Sequence, residues 1–238
     1  MRKLRFTVGE IYHIFNRGVE KRDIFLDDSD RWRFLQGLYL FNDEKTASNL
    51  LFRLERDKGG ANFRTLKEFI AGYQEERKPL VKIMADVLMP NHFHLIIEEI
   101  EEGGISRFMH KLGIGDTKYF NIKHERVGGL FQGTFKAVHI DKELYLQYLL
   151  IYLNIINPGQ LIEPMLKEEG PKDIDAILKF ASEYNWSTHK EYAGLRNSVI
   201  INKGILGEIF NTPGEYIKFA RGVLEGKKYE LINHLTLE

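Results

Sequence analysis

Cysteine is absent from the chain and proline is scarce, with 6 prolines among 238 residues. The lack of cysteine excludes disulfide bonds, thiolate metal sites and cysteine nucleophiles. No segment approaches the roughly 18 consecutive apolar residues of a membrane span. The first residues are basic and lack the unbroken apolar stretch of a secretory signal. The sequence therefore predicts a cytoplasmic protein without a membrane partner.

Net charge is also absent, because 34 Lys and Arg residues balance 34 Asp and Glu residues. A neutral chain argues against indiscriminate binding to polyanions. The basic residues are nevertheless concentrated, since segments 1–22 and 107–136 each hold six basic and two acidic residues. Two basic patches on a neutral protein fit a localised nucleic-acid track, and ordinary solvated surface explains the counts equally well.

The pattern of apolar residues and turn signals predicts an α+β fold. The expected elements are a strand at 4–15 ending in a turn at Asn16-Arg17-Gly18, a helix capped within 27–30, strands at 82–89 and 92–100 joined by a tight turn, a helix at 105–123, a strand at 131–140, and a helix from Asp141 towards Pro158. This β-α-β-β-α-β order is that of a ferredoxin-like antiparallel sheet with one added helix. Residues 1–160 form one domain with a helical insertion at about 43–78, and 161–238 form a helical C-terminal extension.

The sharpest local feature is the His-x-His pair at the start of the third strand. Residues i and i+2 of a strand point to the same face, so His92 and His94 present two imidazoles side by side. Phe93 and Leu95 are then expected on the opposite, apolar face. The pair suits a divalent metal, but it occurs by chance in many proteins and does not specify a reaction.

Three tyrosines, at positions 145, 148 and 152, lie on the helix that follows Asp141. Aromatic residues at this spacing usually pack in a core, which is the expectation for Tyr145 and Tyr148. Tyr152 lies closest to Asn157-Pro158, where the helix is expected to stop. The side-chain oxygen of Asn157 could complete a three-ligand site with the two histidines.

The segment from Arg126 to Lys136 combines glycines with basic and aromatic residues. Its glycines allow close backbone approach, Arg126 and Lys136 suit phosphates, and Phe131 and Gln132 could contact unpaired bases. A plain glycine-rich connection into a strand explains the segment equally well.

Together and in this order, these segments resemble the REP-associated tyrosine transposase branch of the single-tyrosine HUH (IS200-like) transposases. The matching segments are Tyr12-His13-Ile14-Phe15-Asn16-Arg17-Gly18, Met89-Pro90-Asn91-His92-Phe93-His94, Gly129-Leu130-Phe131-Gln132-Gly133-Thr134-Phe135-Lys136 and the tyrosine helix closing with Asn157-Pro158. The resemblance covers roughly residues 4–160, and Trp186-Ser187-Thr188-His189 with Tyr192 looks like the tail of that branch.

The resemblance implies a metal-dependent transferase that cleaves and rejoins single-stranded or hairpin DNA. His92, His94 and Asn157 would hold Mg²⁺ or Mn²⁺, which polarises the scissile phosphate. Tyr152 would attack and retain the 5′ phosphate as a phosphotyrosine link, leaving a free 3′ hydroxyl. Arg17, Arg126, Gln132 and Lys136 are expected to contact the DNA. Members of the family act as monomers or homodimers.

One departure from the family pattern concerns the position of the nucleophile. In the family the tyrosine lies four residues before the amide ligand, and here that position holds Leu153, whereas Tyr152 lies five residues before Asn157. A π-bulge in the last helical turn would absorb the extra residue, and such bulges are frequent at functional sites. The alternatives are that Tyr148 is the nucleophile or that cleavage activity has been lost.

Two other functions fit the residues. A catalytically silent DNA- or RNA-binding protein would use the basic patches alone. A small-molecule metalloenzyme would place the histidines in a closed apolar pocket, whereas a strand transferase needs them open to a basic groove.

Overall fold

The computed structural model describes residues 4–45, 63–72 and 76–226. Its centre is a sheet of four strands: β1 (Ile11–Arg17), β2 (Val81–Met89), β3 (His92–Glu99) and β4 (Lys136–Ile140). The strands lie in the order β2-β3-β1-β4, and every neighbouring pair is antiparallel. This is the predicted ferredoxin-like order, and the α+β class is confirmed.

Helices α1 (Asp28–Leu40) and α3 (Gly104–Lys123) cover one face of this sheet. Asp27 caps α1 as predicted, since its side chain accepts from the backbone N–H of Asp30 and the Asp30 carboxylate accepts in return. Phe93, Leu95 and Ile97 of β3 are buried on this face, as their alternation in the sequence predicts.

The other face of the sheet is covered by residues 143–159, which we call the tyrosine helix, and by the C-terminal helices. The tyrosine helix consists of α4 (Glu143–Ile151), a π-helical segment (Tyr152–Ile156) and a last turn (Asn157–Gly159). The further helices are α2 (Phe63–Ala71) before the sheet hairpin and α5 (Leu166–Glu169), α6 (Ile174–Glu183), α7 (His189–Tyr192), α8 (Ile205–Ile209) and α9 (Pro213–Gly226) after the tyrosine helix. Side chains from β2, the tyrosine helix and α6 to α9 form one apolar core.

The C-terminal residues also bond directly to the edge strand β2. The backbone N–H of Leu88 donates to the carbonyl of Trp186 at 2.8 Å, and the N–H of Thr188 donates to the carbonyl of Asp86 at 3.1 Å. These bonds satisfy part of an edge that would otherwise be open to pairing with another chain. The domain boundary drawn at residue 160 stays a prediction, although residues on both sides of it share this core.

Three predicted elements have wrong boundaries. β1 begins at Ile11, because Gly9 has a φ of 85° and turns the chain just before it, and Asn16 and Arg17 belong to the strand. β4 begins at Lys136, since Gly133 with a φ of 83° holds the preceding residues in a tight turn. The cap residue of α4 is Lys142 rather than Asp141.

The predicted helical insertion at about 43–78 lies largely outside the described residues, and α2 is the helix described within it. Among the residues that are described, no helix has both the length and the apolar character needed to cross a membrane.

Candidate active site

His92 and His94 open strand β3 on the sheet face that the tyrosine helix covers. Their ring centroids are 5.0 Å apart and the ring planes are nearly perpendicular. His94 is 1% exposed, and β1 pairs with β3 so that Phe15 lies directly opposite it. The Phe15 ring stacks on His94 at 5.5 Å. The strand geometry thus brings the two imidazoles together, as the spacing predicts.

A third histidine, His13, completes this cluster. It lies on β1 two residues before Phe15, at the diagonal position from which side chains on one sheet face reach each other. His13 Nε2 and His94 Nδ1 form a hydrogen bond of 2.8 Å, and His13 is fully buried. His13 belongs to the Tyr12–Gly18 segment, and the sequence predicted no role for it. Its position two residues before Phe15 on a predicted strand would have placed both side chains on the same sheet face.

The other histidine is oriented by its neighbour in the turn. His92 Nδ1 lies 2.6 Å from Asn91 Oδ1, and an amide oxygen can only accept, so Nδ1 carries the proton. The lone pair of a neutral His92 is then on Nε2. Holding one ring nitrogen and leaving the other for a cation is the usual arrangement of metal-binding histidines.

Burial keeps His94 neutral. Desolvation lowers the pKa of His94 well below its usual value, and electrostatic interactions with His13, His92 and Lys167 lower it further. A neutral imidazole is the form that binds a metal ion. Among the described residues, no three His, Cys, Asp or Glu side chains are grouped to hold a metal.

A cavity of about 210 Å³ opens beside the histidine pair, and we call it the histidine cavity. Five polar or basic residues from three separate segments share it with His92 and His94: Arg17, Lys21, Asn91, Gln132 and Lys136. Arg17 Nε donates to Gln132 Oε1 at 2.6 Å. The cavity thus unites the two basic patches of the sequence, and its cationic wall differs from the closed apolar pocket expected of a small-molecule metalloenzyme.

Arg126, expected to contact DNA from the same segment as Gln132, does not line the histidine cavity. Its guanidinium lies 5.4 Å from the centre of the Phe120 ring on α3. Its backbone N–H donates to the carbonyl of Asn121, which turns the chain back against the end of that helix. Arg126 is therefore not part of the cavity wall that Arg17, Gln132 and Lys136 share.

Tyr152 is the tyrosine that lies beside the histidines. Its ring centroid is 6.0 Å from that of His94, edge to face. Tyr148 instead packs against Phe219 of α9, with ring centroids 5.6 Å apart. Both are buried, and Tyr152 is only 1% exposed and does not line the histidine cavity.

The predicted π-bulge is present in the tyrosine helix. The N–H of Asn157 donates to the carbonyl of Tyr152, five residues before it, and residues 152–156 are π-helical. In a regular α-helix the Pro158 ring would clash with the carbonyl four residues earlier, at Asn154. The wider turn accommodates the proline and the extra residue together.

The C-terminal extension holds this π-helical segment from outside. Asn154, fully buried within it, accepts a hydrogen bond of 2.8 Å from the Thr188 hydroxyl. Next to Thr188, His189 Nδ1 lies 3.0 Å from the Tyr216 hydroxyl. The Trp186-Ser187-Thr188-His189 segment thus has a structural role at the tyrosine helix that the sequence did not reveal.

Comparisons with known proteins give a likeness of fold. No protein-family model matches the chain, and no curated protein sequence matches it. Among solved structures, the chain is similar to a REP-associated tyrosine transposase bound to a REP hairpin, with a TM-score of 0.46 and 17% identity over 83% of this chain and 89% of that one. A likeness of this degree leaves function to be argued from the site itself.

Proposed function

We propose that this protein cleaves and rejoins single-stranded or hairpin DNA through a covalent link to Tyr152. The proposal rests on one observation: the basic cavity and the buried tyrosine both adjoin the same histidine pair. The His92–His94 pair lines a cavity with three basic side chains, and the Tyr152 ring lies against His94. Phosphate, metal and tyrosine chemistry are thereby available side by side.

The residues present fit a divalent metal. Asn91 holds the His92 ring in orientation, and His13 holds the ring of the neutral His94. Asn157 follows the π-helical segment, is 1% exposed, and has a buried Nδ2 without a hydrogen-bond partner among the described residues. Rotation of its amide would offer the oxygen instead. Imidazole ligands favour a transition ion over Mg²⁺, so Mn²⁺ is the first metal to test. When bound, the ion would supply Lewis-acid polarisation of a phosphate.

The chain's own residues account for the rest of the proposed reaction. Lys136 and Arg17 hold the DNA backbone by charge, and Gln132 offers an amide to an unpaired base. The Tyr152 hydroxyl forms a bond to phosphorus as the P–O3′ bond breaks, so the 5′ phosphate stays on the enzyme. The free 3′ hydroxyl of a strand can later reverse the step, which rejoins DNA without ATP.

The burial of Tyr152 requires a movement before attack. Because this side chain is 1% exposed, its hydroxyl must turn towards the histidine cavity, or its cover must shift, when DNA binds. The same burial favours the second candidate function, a DNA- or RNA-binding protein that uses the basic cavity without cleavage.

A single experiment separates the two functions. Purified protein is incubated with labelled single-stranded hairpin oligonucleotides in Mn²⁺ or EDTA and run on a denaturing gel. The proposed function predicts an SDS-stable adduct that requires metal and disappears in Tyr152→Phe. Hairpin binding that is equal with and without metal, and in Tyr152→Phe, with no adduct from a broad set of hairpins, would establish the silent binding protein instead.

A further inference from the structure

Lys167 brings a positive charge from the C-terminal extension to the candidate nucleophile. It lies on the short helix α5, and its Nζ is 5.5 Å from the centroid of the Tyr152 ring. That distance is within the range of a cation–π contact. The Tyr152 ring thus contacts both His94 and Lys167.

The packing of its buried neighbour, Leu166, helps to fix the position of Lys167. Leu166 is fully buried and packs on Gly159, the residue that ends the tyrosine helix. A Cβ on Gly159 would lie 2.5 Å from Leu166 Cδ2, so a larger residue there would force the Leu166 side chain to shift. The Asn157-Pro158-Gly159 turn therefore sets where α5 docks, and α5 sets where Lys167 lies.

The positive charge of Lys167 does not favour metal binding by the histidines. An ammonium group this close to the Tyr152 ring, which also contacts His94, would repel a metal ion held by the histidines. A lysine and a metal close to each other are stabilised together by an anion that both contact. Lysine is a common phosphate ligand, because its ammonium group acts as a compact point charge.

We propose that Lys167 is a further catalytic residue, which binds the phosphate undergoing transfer at Tyr152. This inference rests on the proposed function. As the Tyr152 oxygen bonds to phosphorus and the P–O3′ bond breaks, Lys167 neutralises charge on the non-bridging oxygens. The tyrosine proton is released to water, and the departing 3′ oxygen takes a proton from water. Lys167 keeps its own proton throughout and holds the phosphotyrosine in the intermediate.

The test compares Lys167→Met with the matched variant Lys179→Met, which removes an exposed lysine of α6. Adduct formation is timed at saturating hairpin DNA and Mn²⁺, and hairpin affinity and the thermal midpoint are measured beside it. Lys167→Met is expected to slow adduct formation about 100-fold, the scale of one lost charge-stabilising donor, with affinity and midpoint close to those of Lys179→Met. Lys167→Arg should recover most of the rate, because it restores the charge.

The outcomes separate this inference from the proposed function. A wild-type protein that forms no adduct overturns both. A wild-type protein that forms adduct at the same rate as Lys167→Met overturns the role of Lys167 alone. Equal loss in Lys167→Met and Lys167→Arg, together with a lowered thermal midpoint in both, would show that Lys167 serves packing and would likewise overturn the proposal.

Discussion

The backbone N–H of Asn157 donates to the carbonyl of Tyr152, so the tyrosine helix gains one residue between the candidate nucleophile and the candidate amide ligand. An α-helical turn would align Asn157 with Leu153, four residues before it, and the π-helical turn aligns it with Tyr152 instead. The inserted residue thereby offsets the one-residue difference in tyrosine position from the family that the sequence resembles.

This register predicts the result of moving the tyrosine. In a Tyr152→Phe background, Leu153→Tyr places a hydroxyl four residues before Asn157, where a regular α-helix would make it functional. We expect no recovery of the covalent adduct on a denaturing gel, because the Tyr152 ring is the one that lies beside His94, and residue 153 lies about 100° further round a helix. An adduct restored by Leu153→Tyr would mean that this turn is α-helical when DNA is bound.

The fold was largely accessible from the sequence because its elements carry strong local signals. The capped helix after Asp27 and the hairpin around Pro90-Asn91 are set by short-range patterns, and the structure confirms both. The starts of β1 and β4 were missed, because positive-φ glycines at 9 and 133 turn the chain inside runs that otherwise look extended.

Contacts between distant segments explain what the sequence left hidden at the site. His13 meets His94 across 81 residues, and Lys167 reaches Tyr152 from a helix whose Leu166 packs on Gly159. No local periodicity encodes such pairs. The π-bulge, in contrast, was predictable from the spacing of Tyr152 and Asn157 once a family pattern was available for comparison.

His13 is expected to tune metal binding through His94. Replacing it with leucine removes the 2.8 Å hydrogen bond to His94 Nδ1. Loss of such an outer partner typically weakens metal affinity by about 10- to 100-fold, so Mn²⁺ titration by calorimetry should show a weakening of that order in His13→Leu. His139→Leu is the control, since His139 pairs with Glu10 near the surface of β4. Equal affinities in the two variants would contradict a supporting role for His13.

The separation of Arg126 from the histidine cavity predicts different salt effects for the basic residues. Lys136 and Arg17 line the cavity, whereas the Arg126 guanidinium lies against Phe120. Lys136→Ala or Arg17→Ala should weaken hairpin binding and reduce the slope of log affinity against log salt by about 1. Arg126→Ala should leave that slope unchanged, and anisotropy titrations at several salt concentrations measure it. A reduced slope in Arg126→Ala would support the phosphate contact that the sequence predicts for Arg126.

His189 predicts a loss of stability in acid. This fully buried residue bonds to Tyr216, and burial lowers its pKa to about 4. In the unfolded chain the His189 side chain is protonated below a pH of about 6.5. The stabilisation of the folded state by neutral His189 is therefore complete above that pH and is lost as the pH falls towards 4. The loss is on the order of 3 kcal/mol, at roughly 1.4 kcal/mol per pKa unit.

Asp86 acts in the opposite direction, since burial raises its pKa to about 7 and favours its protonated form in the folded state. Its contribution to the stability of the folded state is present at low pH and is lost as the pH rises from about 4 to 7. Asp86 and His189 therefore have opposite effects on stability over the same pH range. Urea unfolding of wild type and His189→Gln at several pH values isolates the histidine, because the Asp86 contribution cancels in the difference. The wild type should lose stability relative to His189→Gln between pH 6.5 and 4. A constant difference across that range would show that His189 is protonated in the folded protein, with its charge accommodated beside Tyr216.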